Sequence, residues 1–274
     1  METSFIEIDN IKIAYIEKNP DAATTIFFIH GNSVSKTCWR KQCGSELLSS
    51  YRLIALDLPG HGDSQPALNK NVGYTLKGLA SIMRKAVGKL IDDRPYILAG
   101  LSVGTNIIAE MLPFNITPDG LILAGPSLVN KKYSPQTFIK PNTHVGVVFT
   151  DKADENDVIL YCKETSMSEE KEDLDIFVSN YKATDKTFRG IFATSIADEN
   201  YSDELALIQR SDIPCLVIFG KDELVVDPGY LDSADLPLWR NKIFKISGAS
   251  HLVNIDQPDT FNALVLEFAQ DVLK

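Results

Sequence analysis

At 274 residues the chain is long enough for one domain with a large hydrophobic core. It carries 37 Asp and Glu residues against 27 Lys and Arg, and the net charge of -10 argues against a nucleic acid or an anionic membrane as partner, because phosphate groups would repel the protein. The expected partner is a small neutral molecule, and the composition leaves the oligomeric state open.

The start of the chain and its cysteines bear on the cellular compartment. The first residues, Met-Glu-Thr-Ser-Phe-Ile-Glu-Ile-Asp, lack a basic segment followed by an apolar one, and no apolar run reaches about 18 residues. The 4 cysteines are scattered without a Cys-x-x-Cys pair, so free thiols are expected, and neither a disulfide nor a zinc site is supported. We expect a cytoplasmic protein that binds no metal and no cofactor.

Short β-rich segments alternate with helical ones, which predicts an α/β fold with a mostly parallel central sheet flanked by helices. Residues 5–9 and 11–17 are expected to form an opening antiparallel pair. The later strands are continuous apolar runs of the fully buried kind, at 25–30, 52–58, 96–99, 120–124, 214–219 and 242–246. The clearest helices are predicted at 75–90, 103–112 and 258–272.

Residues 126–201 break this alternation, because they contain no convincing strand. Apolar residues recur there at helical spacing, as at Phe188, Ile191 and Phe192, so short amphipathic helices can bury a face. A long insertion of this kind in a compact α/β domain is typical of a lid. We therefore predict a core domain of residues 1–125 and 202–274 and a helical lid segment, residues 126–201, whose acidic stretch is a solvated face.

The strongest chemical signal is Gly100-Leu101-Ser102-Val103-Gly104, at the passage from a predicted strand to a predicted helix. A Gly-x-Ser-x-Gly string is weak evidence by itself, but this context is what the nucleophile turn requires. The residues two positions from the serine must be small, since the backbone bends sharply there. The turn would expose the Ser102 hydroxyl as nucleophile and aim the Val103 N–H at an oxyanion; the alternative is a glycine-rich loop with Ser102 as helix cap.

A second signal is His30-Gly31-Asn32-Ser33, which follows an apolar strand. Gly31 permits close approach of the backbone, so the N–H of Asn32 is the natural second donor to the oxyanion. His30 is expected to be structural, because a histidine at the end of a buried strand usually makes fixed hydrogen bonds.

An alcohol nucleophile needs a base, and the base needs a carboxylate that orients it. His251 is the best candidate base, because it lies in a loop between the last strand and the last helix, whereas His144 falls in the lid segment. Asp222 and Glu223 both follow the strand at 214–219, and either preserves the order serine, acid, histidine. The spacing of the residues leaves the choice between them open.

Taken in order, several motifs resemble the α/β-hydrolase family along the whole chain. They are His30-Gly31, Asp57-Leu58-Pro59-Gly60-His61-Gly62, the turn around Ser102, and His251. The resemblance implies the α/β-hydrolase fold and a serine hydrolase. In that family the acid lies three residues after a strand-ending glycine, here Gly220, which points to Glu223.

A narrower similarity is to the α/β-hydrolase type of N-acyl-homoserine lactonase. It rests on His30-Gly31-Asn32-Ser33-Val34-Ser35, on Glu223 and on residues 157–161 of the lid segment. This similarity implies that Asn32 helps to form the oxyanion hole and that Tyr161 reaches the substrate; otherwise Tyr161 is an aromatic of the lid core. Phe188 and Phe192 are expected either to line an acyl pocket or to pack on the body.

These residues predict hydrolysis of a small carboxylic ester or lactone through an acyl-enzyme. An amidase or peptidase, a carbon–carbon bond hydrolase and a perhydrolase of the same fold need the same three residues, so the sequence leaves them open. A ligand receptor that keeps the triad but turns over negligibly is an alternative of another class.

Overall fold

The computed structural model describes residues 2–273 of the chain, and eight strands form its sheet. In chain order the strands are β1 (Ser4–Ile8), β2 (Ile11–Lys18), β3 (Thr25–Ile29), β4 (Arg52–Leu56), β5 (Tyr96–Leu101), β6 (Gly120–Ala124), β7 (Cys215–Gly220) and β8 (Leu238–Ile246). Their spatial order is β1-β2-β4-β3-β5-β6-β7-β8. The β1–β2 and β2–β4 pairs are antiparallel and the other pairs are parallel, which confirms the predicted mostly parallel sheet with an opening antiparallel pair.

Helices lie between most of the strands. They are α1 (Arg40–Cys43), α2 (Lys70–Gly73), α3 (Leu76–Leu90), α4 (Val103–Met111), α5 (Pro135–Phe138), α6 (Glu155–Thr165), α7 (Lys171–Ala183), α8 (Phe188–Ala197), α9 (Glu204–Ser211), α10 (Val253–Asp256) and α11 (Pro258–Val272). Short 3₁₀ turns occur at Lys36–Trp39, Glu46–Leu48, Leu112–Phe114 and Val145–Phe149. Every residue of β3, β4 and β6 is buried, as expected for strands covered on both faces.

Local sequence explains where the long helices begin. Thr75 caps α3 by accepting a hydrogen bond from the Gly78 N–H, and α11 starts at Pro258, whose missing N–H costs nothing in the first turn. Among residues 2–273 no helix has the length and hydropathy needed to span a membrane.

The lid segment holds α5 to α8 between β6 and the helix that precedes β7. A β-bridge between Ile139 and Val226 joins it to the loop after β7, and its aromatic side chains pack inward. The helical character of residues 126–201 is therefore as predicted, whereas their role as a lid stays a prediction. The segment lies over the carboxyl ends of β3, β5, β6 and β7, where ligands of open α/β sheets bind.

Candidate active site

Ser102 occupies a sharp turn between β5 and α4, with φ 52° and ψ -122°. This conformation is rare for a residue with a side chain, and it persists only where the surroundings impose it. A Cβ atom at Gly100 would lie 2.6 Å from the Gly104 backbone, and one at Gly104 would lie 2.3 Å from the Ile29 carbonyl oxygen. The two glycines are therefore required for the turn to pack against β3. The Ser102 N–H donates a 2.9 Å hydrogen bond to the Ala124 carbonyl and fixes the turn to β6.

Asn32 and Val103 flank the nucleophile turn, and both line the same cavity as Ser102. Within residues 2–273 neither backbone N–H donates a hydrogen bond, so both remain free to bind an oxyanion. A Cβ atom at Gly31 would lie 3.0 Å from the Ser102 Cβ, which shows how closely the two backbones approach. The Asn32 side chain donates to the Val148 carbonyl at 2.8 Å and thereby joins this loop to the lid segment.

His251 and Glu223 form a buried pair. The Nδ1 atom of His251 lies 2.9 Å from Oε2 of Glu223, and both side chains are almost completely shielded from solvent. The other carboxylate oxygen of Glu223, Oε1, accepts hydrogen bonds from the N–H groups of Val225 and Val226 at 2.9 and 3.2 Å. These bonds hold the carboxylate in one orientation, as a group that orients an imidazole requires.

Asp222, the alternative acid, points elsewhere. Its Oδ2 atom accepts a 2.8 Å hydrogen bond from the Gly248 N–H, and the residue is exposed. This contact closes the loop that carries His251 without reaching the imidazole. The structure thus places only one of the two adjacent carboxylates on the histidine, as expected from the opposite directions of neighbouring side chains.

Ser102 and His251 line one cavity, and the end of β6 lies against both, through Ala124 and Gly125. A Cβ atom at Gly125, where φ is +48°, would lie 3.2 Å from Nδ1 of His251 and 2.8 Å from its carbonyl oxygen. Gly125 was not singled out from the sequence, although a glycine directly after a predicted strand is a signal for such close packing. Among the described residues no hydrogen bond joins the Ser102 hydroxyl to His251. Catalytic hydrogen bonds of this kind often tighten only when substrate is bound.

The cavity wall is mostly aliphatic and aromatic, with Leu76, Val148, Phe149, Phe177 and Ile196 among its members. Within residues 2–273 no lysine or arginine lines it. An apolar wall with a few convergent polar groups is the usual character of a small-molecule site.

Tyr161 on α6 lines this cavity, and it also packs edge-on against Phe177 with ring centroids 6.0 Å apart. Its contact with the substrate stays a prediction. Its hydroxyl makes no hydrogen bond to any residue within 2–273, which leaves it available to a ligand. Burial is the main reason that the pKa of Tyr161 is raised, so the hydroxyl is a donor at neutral pH.

Phe192 lines the cavity, but Phe188 does not. The Phe188 ring is fully buried and packs edge-on against His61 at 4.3 Å and Tyr74 at 5.0 Å between ring centroids. The expected contact of Phe188 with substrate is therefore corrected to packing of the lid segment on the core. The physical reason is that Phe188 and Phe192 share one face of α8, with their rings stacked 5.5 Å apart, but lie one turn apart along the helix axis. The first turn of α8 therefore packs on the body, and the next turn reaches the cavity.

His30 and His61 lie beneath the site and are structural. The Leu58 N–H donates to Nε2 of His30 at 2.9 Å, while Nδ1 of His30 lies 2.7 Å from the Gly31 carbonyl oxygen. Nδ1 of His61 lies 3.1 Å from the Pro59 carbonyl oxygen. Burial is the first cause that lowers the pKa of each ring to about 3.

This pair predicts a loss of stability in mild acid. In the unfolded chain both histidines bind protons near pH 6.5, whereas in the folded protein they stay neutral down to about pH 3. As pH falls through this window the unfolded state gains protons first, so the free energy of unfolding should drop by about 1.4 kcal/mol per pH unit for each histidine. Urea unfolding at pH 7 and pH 5 measures the drop, and His61→Asn should flatten it. Equal stability at both pH values would contradict the prediction.

Within 2–273 no group of three or more His, Cys, Asp or Glu side chains is arranged to hold a metal ion. Cys38, Cys43, Cys162 and Cys215 are buried and unpaired.

Residues 26–264 match the model of the alpha/beta hydrolase family, which is more than half of the chain. Among solved structures, the N-acyl homoserine lactonase AidH complexed with N-butanoyl homoserine is 26% identical, with a TM-score of 0.90 over 100% of this chain and 98% of the other. A thermophilic esterase from Thermogutta terrifontis is 18% identical, with a TM-score of 0.79 over 100% of both chains. The esterase supports the fold alone.

A curated relative has another activity. A 2-hydroxy-6-oxononadienedioate/2-hydroxy-6-oxononatrienedioate hydrolase of Klebsiella pneumoniae is 23% identical over 90% of this chain and 88% of its own length.

Proposed function

The chain belongs to the alpha/beta hydrolase family, and we propose that it is a serine hydrolase that cleaves a carboxylic ester or lactone of a small neutral molecule. The observation that carries this proposal is the hydrogen-bonded Glu223–His251 pair, whose histidine lines the same cavity as Ser102. Ser102 itself lies in a strained turn. A nucleophile, a base and an orienting acid in this chain order are the working parts of acyl transfer in this fold.

The proposed reaction begins when Nε2 of His251 takes the Ser102 proton and the Ser102 oxygen attacks the substrate carbonyl carbon. The N–H groups of Asn32 and Val103 stabilise the oxyanion that forms. Glu223 accepts the Nδ1–H of the imidazole and keeps the other nitrogen facing the serine. His251 then gives its proton to the leaving alkoxide, and water releases the acid from Ser102 by the same steps in reverse.

The cavity supports a neutral substrate with an apolar acyl part. Its wall carries no lysine or arginine within residues 2–273, so a buried carboxylate of a substrate would find no counter-charge there. The free Tyr161 hydroxyl and the Asn32 N–H are donors suited to carbonyl oxygens. Together with the similarity to AidH, these features make an N-acyl homoserine lactone our first choice of substrate.

A carbon–carbon bond hydrolase is the second candidate, and the Klebsiella pneumoniae relative favours it. The name of that relative's substrate describes a dicarboxylate. Two carboxylates entering the apolar cavity would lose their hydration without gaining an ion pair, which costs several kcal/mol for each charge. This argument ranks the ester or lactone first.

A substrate panel with mass detection of products tests the ranking. It should contain nitrophenyl esters, N-acyl homoserine lactones, amides and the dicarboxylate 2-hydroxy-6-oxononadienedioate, each incubated with the wild-type protein and with Ser102→Ala. We expect repeated turnover of esters and lactones by the wild type alone. Turnover of only the dicarboxylate would favour carbon–carbon cleavage, and a single burst per protein molecule would favour a receptor.

The two phenylalanines of α8 provide a matched pair for acyl-chain selectivity. Phe192→Ala should raise KM for long acyl chains more than for short ones, because it removes part of the cavity wall. Phe188→Ala should instead lower the melting temperature, since truncating a fully buried phenylalanine costs about 3–5 kcal/mol. Kinetics across a series of acyl lengths, below both melting temperatures, separate the two effects. An equal rise of KM for all lengths in Phe192→Ala would assign that ring to the lid core.

A further inference from the structure

The loop that carries His251 is bonded to the lid segment on both sides of the histidine. We call residues 247–252 the His251 loop and residues 164–167 the α6 end. The Ser250 hydroxyl donates to the Glu164 carbonyl at 2.6 Å, and the Leu252 N–H donates to the Thr165 carbonyl at 2.7 Å. The neighbours of the base therefore rest on the α6 end and not only on the core.

The Asp256 carboxylate also joins the His251 loop to the α6 end. Its Oδ2 atom accepts from the Ser250 N–H at 2.8 Å, while Oδ1 accepts from the Ser166 hydroxyl at 2.5 Å and from the Met167 N–H at 3.0 Å. One carboxylate oxygen thus holds the His251 loop and the other holds the α6 end. Hydrogen bonds to an ionised carboxylate are about twice as strong as neutral ones, so this bridge is a firm link.

Ser250 connects a third element, the loop of the acid. The Leu224 N–H, next to Glu223 in the chain, donates to the Ser250 hydroxyl oxygen at 3.1 Å. Ser250 is completely buried. A single side chain therefore contacts the segment of the base, the segment of the acid and the α6 end.

We propose that Ser250 and Asp256 are positioning residues that keep His251 opposite Glu223 while the α6 end is docked, so that closure of the lid segment and assembly of the catalytic pair are coupled. The inference rests on the proposed function, since it assigns these residues to the His251–Glu223 pair. Neither side chain lines the cavity, so both act through His251 and not on substrate. A displacement of about 1 Å in a catalytic group can lower a rate up to about 100-fold, and hydrogen-bonded supports of this kind prevent it.

The test compares Asp256→Asn and Ser250→Ala with Asp271→Asn. Asp271, on α11, is the control because its carboxylate accepts a 2.9 Å hydrogen bond from the Trp239 indole N–H on β8 and does not contact the lid segment. In Asp256→Asn an NH₂ group replaces one of the two acceptor oxygens. The hydrogen bonds on that side, to the His251 loop or to the α6 end, are therefore lost. We expect kcat for a short ester to fall about tenfold or more in Asp256→Asn and Ser250→Ala, with KM within about twofold of wild type. The control should keep its kcat.

Hydrogen exchange provides a readout that needs no substrate. Asp256→Asn should speed amide exchange in the α6 end and in the His251 loop together, whereas a structural role confined to one segment would speed exchange there alone. Should Asp256→Asn fail to fold, Ser166→Ala is the milder variant, because it removes only the hydroxyl on the lid side and leaves the Met167 N–H in place. Joint acceleration with a loss of kcat is the supporting result for either variant.

The proposal is overturned if kcat falls no more than in Asp271→Asn, or if exchange rises in one segment only. Failure of the proposed function looks different: the wild type would then turn over none of the esters or lactones, while the exchange result would still decide whether the α6 end and the His251 loop are coupled.

Discussion

Ser102→Ala is expected to abolish turnover while the fold survives. Loss of the nucleophile of a comparable triad lowers kcat by about 10⁶, and the remaining rate comes from binding and the oxyanion donors. The change should not harm the structure, because alanine is small enough for the turn and the Ser102 hydroxyl makes no hydrogen bond to any other residue within 2–273. Steady-state kinetics with a nitrophenyl ester measure the loss, and thermal unfolding checks the fold.

A retained rate above about 1% of wild type would remove Ser102 from the role of nucleophile. Thr105→Ser is a suitable control. Thr105 lies one turn along α4, and its hydroxyl donates to the Ser102 carbonyl at 2.6 Å, a bond that serine can also make. That variant should keep its activity and show that substitutions near the turn do not by themselves explain the loss.

The fold could be predicted because its signals are local. The buried strands are continuous apolar runs, and β6 and α11 have the predicted boundaries at Gly120–Ala124 and Pro258–Val272. The sequence predicts the last strand too short, since β8 begins at Leu238 and passes through three exposed polar residues, Arg240 to Lys242, at the sheet edge. Periodicity reports a buried strand better than an edge strand, because an edge strand keeps more contact with water.

The contacts that separate Phe188 from Phe192 could not be predicted from the sequence. The two residues share one face of α8, and which of them meets the cavity depends on where the helix lies along the core.

The geometry of the site lay partly beyond the sequence for a similar reason. Ser102, His251 and the N–H groups beside them follow from motifs with fixed spacing. The bonds of Ser250 and Asp256 to the α6 end join residues about 90 positions apart, and no local pattern encodes them. Long-range hydrogen bonds depend on tertiary packing, which short-range reasoning does not reach.

Glu223→Gln is expected to be severely impaired near neutral pH, whereas Asp222→Asn should be nearly normal. The Glu223 carboxylate accepts the imidazole proton at Nδ1 of His251. An amide in its place keeps the shape but can present its NH₂ group to the ring, which favours the wrong tautomer; in a comparable triad this change lowers kcat by about 10⁴. Asp222 only caps Gly248, so its amide should lower the rate by less than about tenfold.

The comparison requires proteins of matched thermal stability, because Oε1 of Glu223 also accepts the Val225 and Val226 N–H groups and its loss could loosen the loop. Glutamine can still accept those two bonds through its carbonyl oxygen, but only by turning its NH₂ group toward His251. Stability and tautomer are therefore opposed in this variant, and a stable but inactive Glu223→Gln is the outcome that the geometry demands. The reverse ranking would move the orienting role to Asp222, and two mild effects would mean that neither carboxylate orients His251 during the reaction.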